Sequence, residues 1–238
     1  MLVTLHGVSR NAPGYRDSAS AIAERHGFIV AAPLFDRTRF APWRYQGGGV
    51  VRYNSRSIEN AAEPPEHWTG RMLLDIARAV RAAENAPDAP LYLIGHSGGG
   101  QALLRIAAFM DTGARRIVIA NPGTYLWPSR DARFPDGFGG LPGTLADDEN
   151  LKRYLAQPIT LLLGTADVEQ DADLSMRPTA AVQGANRYER GHNAYRAARE
   201  LAAARGWPFK WQLIEVPGVG HSAGRMFRSA EAAKAFAP

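Results

Sequence analysis

Apolar and polar positions along the chain follow two alternating periods, which predict a repeating order of strands and helices. Short apolar runs bounded by Gly, Pro or polar residues indicate buried strands, and apolar residues three or four positions apart indicate helices. The predicted strands are Leu2–His6, Phe28–Leu34, Leu91–Ile94, Arg116–Ala120, Ile159–Gly164 and Lys210–Val216. The predicted helices are Pro13–His26, Glu66–Ala83, Gly100–Met110, Gly191–Arg205 and Ser222–Phe236. This alternation is typical of an α/β fold, a mostly parallel sheet of about six strands flanked by helices.

Three long irregular segments interrupt this order, at residues 35–65, 121–150 and 165–190. Each follows a predicted strand, at the end of the sheet where open α/β sheets bind their ligands. Long loops in compact domains commonly carry function. We expect one domain over residues 1–238, in which 35–65 and 121–150 are cap-like insertions.

The chemistry predicted from the sequence centres on the pentapeptide Gly95–Gly99, Gly-His-Ser-Gly-Gly, which fits the pattern G-x-S-x-G. It joins the predicted strand Leu91–Ile94 to the predicted helix Gly100–Met110, which is the context of a nucleophile elbow. Such a turn lifts the hydroxyl of Ser97 above the sheet, and glycines without Cβ atoms let the strand and the helix cross closely. The backbone N–H of Gly98 then lies at a helix N-terminus, where developing negative charge is stabilised.

A second pentapeptide, Gly220–Gly224, fits the same pattern, so the pattern alone does not identify the nucleophile. The order along the chain separates the two matches, because the serine of such an elbow is followed by an acid and then by a histidine. No Asp and no His follow Ser222, whereas Asp167 and His221 follow the last two predicted strands after Ser97. We therefore expect Ser97 to be the nucleophile, His221 its general base and Asp167 the acid that orients the imidazole.

Other acids lie close to Asp167 and compete with it for the orienting role: Glu169, Asp171 and Asp173. The position directly after a strand favours Asp167. The regular alternation of these acids is also found in calcium loops, but the glycine and the distal glutamate of an EF-hand are missing. We expect no metal site in this segment.

An oxyanion hole requires two backbone N–H donors. We expect Gly98 to supply one of them. We expect Val8 to supply the other, because it follows His6-Gly7 in the loop after the first predicted strand. Among the loop aromatics, Tyr125 and Trp127 are candidates to line an acyl pocket, and simple packing of the loop is the alternative.

Composition narrows the classes of function. The 238 residues contain no cysteine, which excludes disulfides, thiolate metal sites and cysteine nucleophiles. The net charge is +5, but the arginines are scattered beside acids and no block of five basic residues occurs, so we expect no nucleic-acid partner. No apolar run approaches the ~20 residues of a membrane span, and no signal peptide is visible. We therefore expect no membrane partner and a cytoplasmic location.

These motifs, in this order, resemble those of the α/β-hydrolases, and the resemblance covers nearly the whole chain. The segments Leu5–Ala12 and Gly95–Gln101 are similar to those of an esterase branch near the polyhydroxyalkanoate depolymerase-like hydrolases. The resemblance implies a serine hydrolase that cleaves small-molecule carboxylic esters through an acyl-enzyme and needs no cofactor. Peptidase, thioesterase or amidase activity, or a catalytically silent binding protein, are the alternatives.

The resemblance also implies a difference at one edge of the sheet. Members of the family usually carry a hairpin of two strands ahead of the strand that bears His6-Gly7, whereas this chain starts on that strand. The strand Phe28–Leu34 would then form an open, apolar edge, in which only Pro33 opposes pairing with another chain. We expect a second subunit, in a C2 homodimer, or residues upstream of Met1 to cover this edge.

Overall fold

The computed structural model describes residues 1–54 and 57–237 of the chain. Its strands are β1 (Leu2–Leu5), β2 (Val30–Ala31), β3 (Val51–Tyr53), β4 (Ile58–Ala62), β5 (Tyr92–His96), β6 (Arg116–Ala120), β7 (Ile159–Gly164) and β8 (Gln212–Val216). Six of them form one parallel sheet in the order β2-β1-β5-β6-β7-β8. The other two, β3 and β4, form a separate antiparallel hairpin.

Helices cover both faces of this sheet. They are α1 (Ala12–His26), α2 (Pro42–Tyr45), α3 (Thr69–Ala83), α4 (Gly98–Phe109), α5 (Asp148–Leu155), α6 (Pro178–Ala181), α7 (Arg187–Arg205), α8 (Ala223–Phe227) and α9 (Ala230–Lys234). Residues of α1, α8 and α9 share a core on one face, and residues of α3, α4, α5 and α7 share the core on the other. The predicted fold class, a mostly parallel sheet of about six strands flanked by helices, is confirmed.

The central strands are apolar throughout because both of their faces are covered. Successive side chains of a strand point to opposite faces of the sheet. On β6, Ile117 and Ile119 belong to the core beneath α3, α4, α5 and α7, whereas Val118 and Ala120 belong to the core beneath α1, α8 and α9. All four side chains are fully buried. The ends of these strands are thereby held in fixed positions, and the loops that follow them are anchored at the same edge.

Some elements differ from the sequence prediction. The hairpin of β3 and β4 lies inside the predicted loop 35–65, and α5 begins inside the predicted loop 121–150. Most residues of β4 are exposed, so the hairpin has no continuous apolar run to mark it. The predicted helix Ser222–Phe236 is divided in two, because the hydroxyl of Ser229 accepts a hydrogen bond from the backbone of Ala232 and starts α9 as a new helix.

The edge strand is much shorter than predicted. Of the predicted strand Phe28–Leu34, only Val30 and Ala31 pair with β1. The Phe28 ring stacks on the ring of Tyr92 with a centroid distance of 4.5 Å, and the N–H of Phe28 donates to the carbonyl of Ala23 at the end of α1, not to β1. Pro33 lacks a backbone donor at the other end. An edge of two residues offers few groups for pairing, and the homodimer through it stays a prediction.

Candidate active site

The turn between β5 and α4 holds Ser97 in a backbone conformation that few side chains adopt. Its φ is 56° and its ψ is −120°, and such conformations are strained for residues other than glycine. Glycine is required on both sides. A Cβ on Gly95 would lie 2.5 Å from the carbonyl oxygen of Gly99, and a Cβ on Gly99 would lie 2.3 Å from the carbonyl oxygen of Leu5. The turn therefore has the geometry of a nucleophile elbow.

Three of the predicted residues lie in one chain of hydrogen bonds above this turn, here called the relay. His221 Nε2 lies 3.1 Å from Ser97 Oγ, and His221 Nδ1 lies 2.7 Å from Asp167 Oδ2. Because a carboxylate only accepts, Nδ1 donates to Asp167, and Nε2 is left to accept from the hydroxyl of Ser97. Ser97 and Asp167 are 8% and 2% exposed, so the relay is largely shielded from bulk water. This arrangement can move a proton from Ser97 to His221.

The second pentapeptide contributes its histidine to the relay, while its serine caps a helix. The hydroxyl of Ser222 accepts a hydrogen bond from the backbone of Arg225, 3.4 Å away, at the start of α8. The acids that compete with Asp167, namely Glu169, Asp171 and Asp173, are all exposed. Of the four acids in this segment, Asp167 is the one that His221 contacts.

The loop after β1 brings Val8 to the elbow. A Cβ on Gly98 would lie 3.3 Å from the backbone nitrogen of Val8, so the two backbones are in contact beside the serine. Side chains fix the loop from behind: the hydroxyl of Tyr45 donates to the carbonyl of His6 at 2.6 Å, and the guanidinium of Arg37 donates to the carbonyl of Val8 at 2.9 Å. The backbone nitrogen of Val8 therefore lies close to Gly98, and the role of these two residues as oxyanion donors stays a prediction.

His96, the residue before the nucleophile, is packed against the relay. Its Nδ1 lies 3.1 Å from the hydroxyl of Tyr15, and its ring centroid lies 4.6 Å from that of His221. Burial, reinforced by the positive charges of His221 and Arg187, lowers the pKa of His96 well below its ordinary value. Burial also raises the pKa of Tyr15 to about 12. Both groups are therefore neutral near neutral pH, and neither is placed to carry protons for Ser97.

A buried guanidinium lies behind Asp167, and the sequence analysis missed it. Arg187 is the first residue of α7, and 1% of its side chain is exposed. Its Nη1 lies 3.5 Å from Asp167 Oδ1, and Nη1 and Nη2 donate to the two carboxylate oxygens of Asp171 at 2.9 and 2.6 Å. The hydrogen bonds from Arg187, together with its charge, lower the pKa of Asp171. No local signal marks this arginine, because arginine after a polar loop is ordinarily exposed.

Of the two predicted pocket aromatics, one is buried in the core and the other lines a cavity whose walls include no residue of the relay. Tyr125 is fully buried in the core, and its backbone N–H donates to Gln183 Oε1 at 2.9 Å, so it presents no surface to a substrate. Trp127 lines a cavity of about 550 Å³ together with Pro178 and Val182, and no residue of the relay is among its walls. The packing alternative therefore describes Tyr125, because a loop aromatic can fill a core as well as a pocket.

Two clefts of mixed polarity meet at Val8 instead. Their shared walls are Val8, Pro42, Gln46 and Asp173. The first has a volume of about 420 Å³, and the second about 320 Å³. The first is also lined by Arg10, Arg37 and Phe40. The second is also lined by Tyr53, Gln101, Arg105, Thr124, Pro135, Ser175 and Arg177. Four arginines and Asp173 thus border the space beside Val8, and no residue of the relay is among the walls of either cleft.

Two acids of the segment 167–173 are engaged with protein groups. Asp167 contacts His221, and Asp171 is paired with Arg187. Within residues 1–54 and 57–237, no three His, Asp or Glu side chains are grouped so that they could hold a metal ion. No helix in the same ranges combines the length and the apolar character that crossing a membrane requires.

Comparison with known proteins finds similar solved structures. LpqC, a poly(3-hydroxybutyrate) depolymerase from Bordetella parapertussis, is 34% identical with a TM-score of 0.85, over 97% of this chain and 78% of that chain. Poly(aspartic acid) hydrolase-1 from Sphingomonas sp. KT-1 is 32% identical with a TM-score of 0.88, over 97% of this chain and 86% of that chain. The S-formylglutathione hydrolase FrmB from Staphylococcus aureus is 15% identical with a TM-score of 0.55, over 98% of this chain and 81% of that chain. No protein-family model matches the chain, and no curated protein sequence matches it.

The first two of these similarities decide the family. Both exceed 30% identity and span most of each chain, whereas the similarity to FrmB shows the fold alone. These two proteins are named for hydrolytic activities, which agrees with the resemblance found in the motifs. The chain therefore belongs to the α/β-hydrolases, in the branch that resembles poly(3-hydroxybutyrate) depolymerases, and is a serine hydrolase.

Proposed function

We propose that the protein hydrolyses carboxylic esters through an acyl-enzyme formed on Ser97. The observation that carries this proposal is the hydrogen-bond chain from Asp167 through His221 to Ser97, at a strained turn where Val8 lies close to Gly98. A serine hydroxyl is a weak nucleophile at neutral pH unless a neighbouring base takes its proton. In this site the base lies within hydrogen-bond reach of the hydroxyl and is itself held by a buried carboxylate.

The first half of the reaction forms the acyl-enzyme. Ser97 Oγ attacks the acyl carbon, and its proton passes to His221 Nε2. The carbonyl oxygen becomes an oxyanion, which accepts hydrogen bonds from the N–H groups of Val8 and Gly98. Asp167 accepts from Nδ1 and stabilises the imidazolium. The bond to the leaving oxygen then breaks, and His221 gives its proton to that oxygen, so that an alcohol departs.

The second half returns the enzyme to its starting state. A water molecule attacks the acyl carbon while His221 Nε2 takes one of its protons. The second oxyanion occupies the same pair of N–H groups. When the bond to Ser97 Oγ breaks, the proton moves from His221 to Ser97, and a carboxylic acid is released. Both halves use the same two N–H donors and the same base, so the relay and these donors together complete the cycle.

The two clefts at Val8 support a neutral or weakly anionic ester with a modest apolar acyl group. Arginines and Asp173 line both clefts, Pro42 supplies apolar surface to both, and Phe40 supplies it to the first. The volumes of about 420 and 320 Å³ suit small acyl and alcohol groups. The name of LpqC as a poly(3-hydroxybutyrate) depolymerase supports an ester bond as the target. The relay can attack the acyl carbon of an amide or a thioester as well as that of an ester. The choice among these substrates therefore depends on the residues of the clefts.

A matched substrate series tests the proposal. We expect turnover of p-nitrophenyl esters of short and medium acyl chains, with an initial burst of p-nitrophenol that reports the acyl-enzyme. The p-nitroanilides with the same acyl groups are expected to react far more slowly, and Ser97→Ala should remove the burst. Equal turnover of anilide and ester would replace the esterase assignment by an amidase. A folded wild-type protein that turns over none of these esters, anilides or the matching thioesters would contradict the proposal as a whole.

A further inference from the structure

We propose that Arg187 and Asp171 form a charge pair behind Asp167 that sets the pH at which the relay becomes active. The inference rests on the proposed function, because it takes His221 as the general base. It assigns positioning and tuning roles to two residues that do not touch the reacting atoms.

The carboxylate of Asp167 is shared between the imidazole of His221 and the guanidinium of Arg187. Its Oδ2 lies 2.7 Å from His221 Nδ1, and its Oδ1 lies 3.5 Å from Arg187 Nη1. Only 1% of each of the Asp167 and Arg187 side chains is exposed. Charges interact strongly where water is excluded, so a guanidinium in this position opposes formation of the imidazolium that catalysis requires. Arg187 by itself would weaken the base.

Asp171 offsets this effect. Its carboxylate accepts hydrogen bonds from both Nη1 and Nη2 of Arg187, at 2.9 and 2.6 Å. The hydrogen bonds from Arg187 lower the pKa of Asp171, so this carboxylate stays charged as the pH falls into the acidic range. The group around His221 then contains two carboxylates and one guanidinium, with a net charge of −1. Asp171 thereby restores the negative environment that a general base needs.

Backbone contacts fix the guanidinium in place. Arg187 begins α7, which Asn186 caps through its side chain, and the N–H of Tyr188 donates to the carbonyl of Asp167 at 3.2 Å. In the part of the chain that the structure describes, the Nε of Arg187 is buried without a partner. A buried charge that is not fully satisfied costs stability. An apolar side chain would fill the same space without this cost in stability. The cost therefore favours a tuning role for Arg187 over a purely structural one.

The other groups that face His221 leave this pair as the adjustable part of its surroundings. His96 on β5 packs against its ring and is neutral, since burial lowers the pKa of His96 well below its ordinary value. Tyr15 on α1 lies beyond His96, and burial raises its pKa to about 12. Arg225 on α8 is exposed and donates to the carbonyl of Gly218 at 3.0 Å. The charges next to His221 therefore belong to Asp167, Arg187 and Asp171.

Charge-changing variants give opposite shifts in the pH profile of kcat/KM. In Asp171→Asn the guanidinium is left uncompensated. The acid limb of the profile, where kcat/KM falls as the pH decreases, should therefore move to lower pH by about 0.5 unit. In Arg187→Met the acids are left uncompensated, so the limb should move to higher pH by about the same amount. The double variant has the wild-type net charge and should return the limb close to its original position. Arg187→Lys keeps the charge and should leave the limb nearly unchanged.

Glu169→Gln is the matched control, since it removes the same charge from an exposed position in the same segment, and it should leave the limb in place. Asp171→Asn is decisive even if Arg187→Met does not fold, because 38% of the Asp171 side chain is exposed and asparagine has the same shape. A limb that stays in place in Asp171→Asn, or moves to higher pH, would overturn the inference. If the wild type turns over esters with an acid limb and Ser97→Ala is inactive, the proposed function stands whatever the variants show. The two failures are therefore separable.

Discussion

Two pentapeptides of this chain, Gly95–Gly99 and Gly220–Gly224, both begin Gly-His-Ser and both end in glycine. They contribute opposite residues to the site. In the first, the histidine is packed away and the serine, Ser97, reaches the relay. In the second, the serine caps α8 and the histidine, His221, lies 3.1 Å from Ser97 Oγ. Identical residues therefore acquire different roles from the elements on either side of them.

The backbone explains this difference. Ser97 has a φ of 56° because a buried strand must turn at once into a helix that crosses it closely. Ser222 has a φ of −136°, which is extended backbone in a loop before a short helix. A Cβ on Gly220 would approach the carbonyl of Ala166 no closer than 3.4 Å, which is ordinary contact. Close contacts thus require glycine in the first pentapeptide. In the second, no close contact requires glycine at position 220.

The largest expected effect separates the two serines by activity. Ser97→Ala should lower kcat/KM for a p-nitrophenyl ester by roughly 10³-fold or more, because deletion of a nucleophile leaves only the binding and oxyanion contributions. Ser222→Ala removes the same atom from the same motif and should keep activity within about threefold. Steady-state kinetics on both variants, with circular dichroism to check folding, make the comparison. The assignment fails if Ser222→Ala is the inactive variant.

The next effect separates the last glycines of the two pentapeptides by stability. Gly99→Ala places a Cβ 2.3 Å from the carbonyl oxygen of Leu5, which belongs to the backbone and cannot move aside. The unfolding free energy should therefore fall by about 3 kcal/mol or more. Gly224→Ala meets only the flexible end of Arg228, at 2.9 Å, in a helix that favours alanine. Its unfolding free energy should be unchanged or higher by up to about 1 kcal/mol. Urea titration of both variants measures this, and equal losses would show that the crossing of β5 and α4 is not what requires glycine.

A smaller effect tests the capping role of Ser222. Loss of its side-chain acceptor in Ser222→Ala should lower the unfolding free energy by at most about 1 kcal/mol. Ser222→Asp keeps an acceptor at the start of α8 and should recover most of that loss. Thermal and urea unfolding of the pair, with activity as the control, distinguish the cap from a catalytic role. If Ser222→Asp were no more stable than Ser222→Ala, the hydroxyl would not be acting as a cap.

The last effect concerns the packed histidine of the first pentapeptide. Burial lowers the pKa of His96 well below its ordinary value, so the unfolded chain takes up a proton here at a higher pH than the folded chain does. The contribution of neutral His96 to the unfolding free energy is complete above about pH 6.5, the pKa of histidine in the unfolded chain. This contribution is lost as the pH falls below that value. The unfolding free energy should therefore decrease from about pH 7.5 to pH 5. His96→Gln should show a smaller decrease, and an unchanged slope would place the acid sensitivity elsewhere, for example at the buried His6.

Local and non-local features differed in how well the sequence predicted them. The central strands were predictable because they are covered on both faces and are therefore apolar throughout. Ser97, Asp167 and His221 follow three of those strands, and parallel strands bring their carboxyl ends to one edge, so order along the chain predicted that they lie together. The sequence did not predict Arg187, because its burial depends on how α7 packs against the loop that contains Asp167. Tyr125 is buried in the core, and its role at a pocket stays a prediction, because a loop aromatic has the same local pattern in a core as in a pocket.

One measurement tests most directly that the serine of the first pentapeptide is the nucleophile. The protein is treated with a fluorophosphonate probe at neutral pH, and the modified peptide is mapped by mass spectrometry. We expect a single adduct on Ser97, which is absent from Ser97→Ala and His221→Gln and retained in Ser222→Ala. An adduct on Ser222, or no adduct on the folded wild-type protein, would contradict the account.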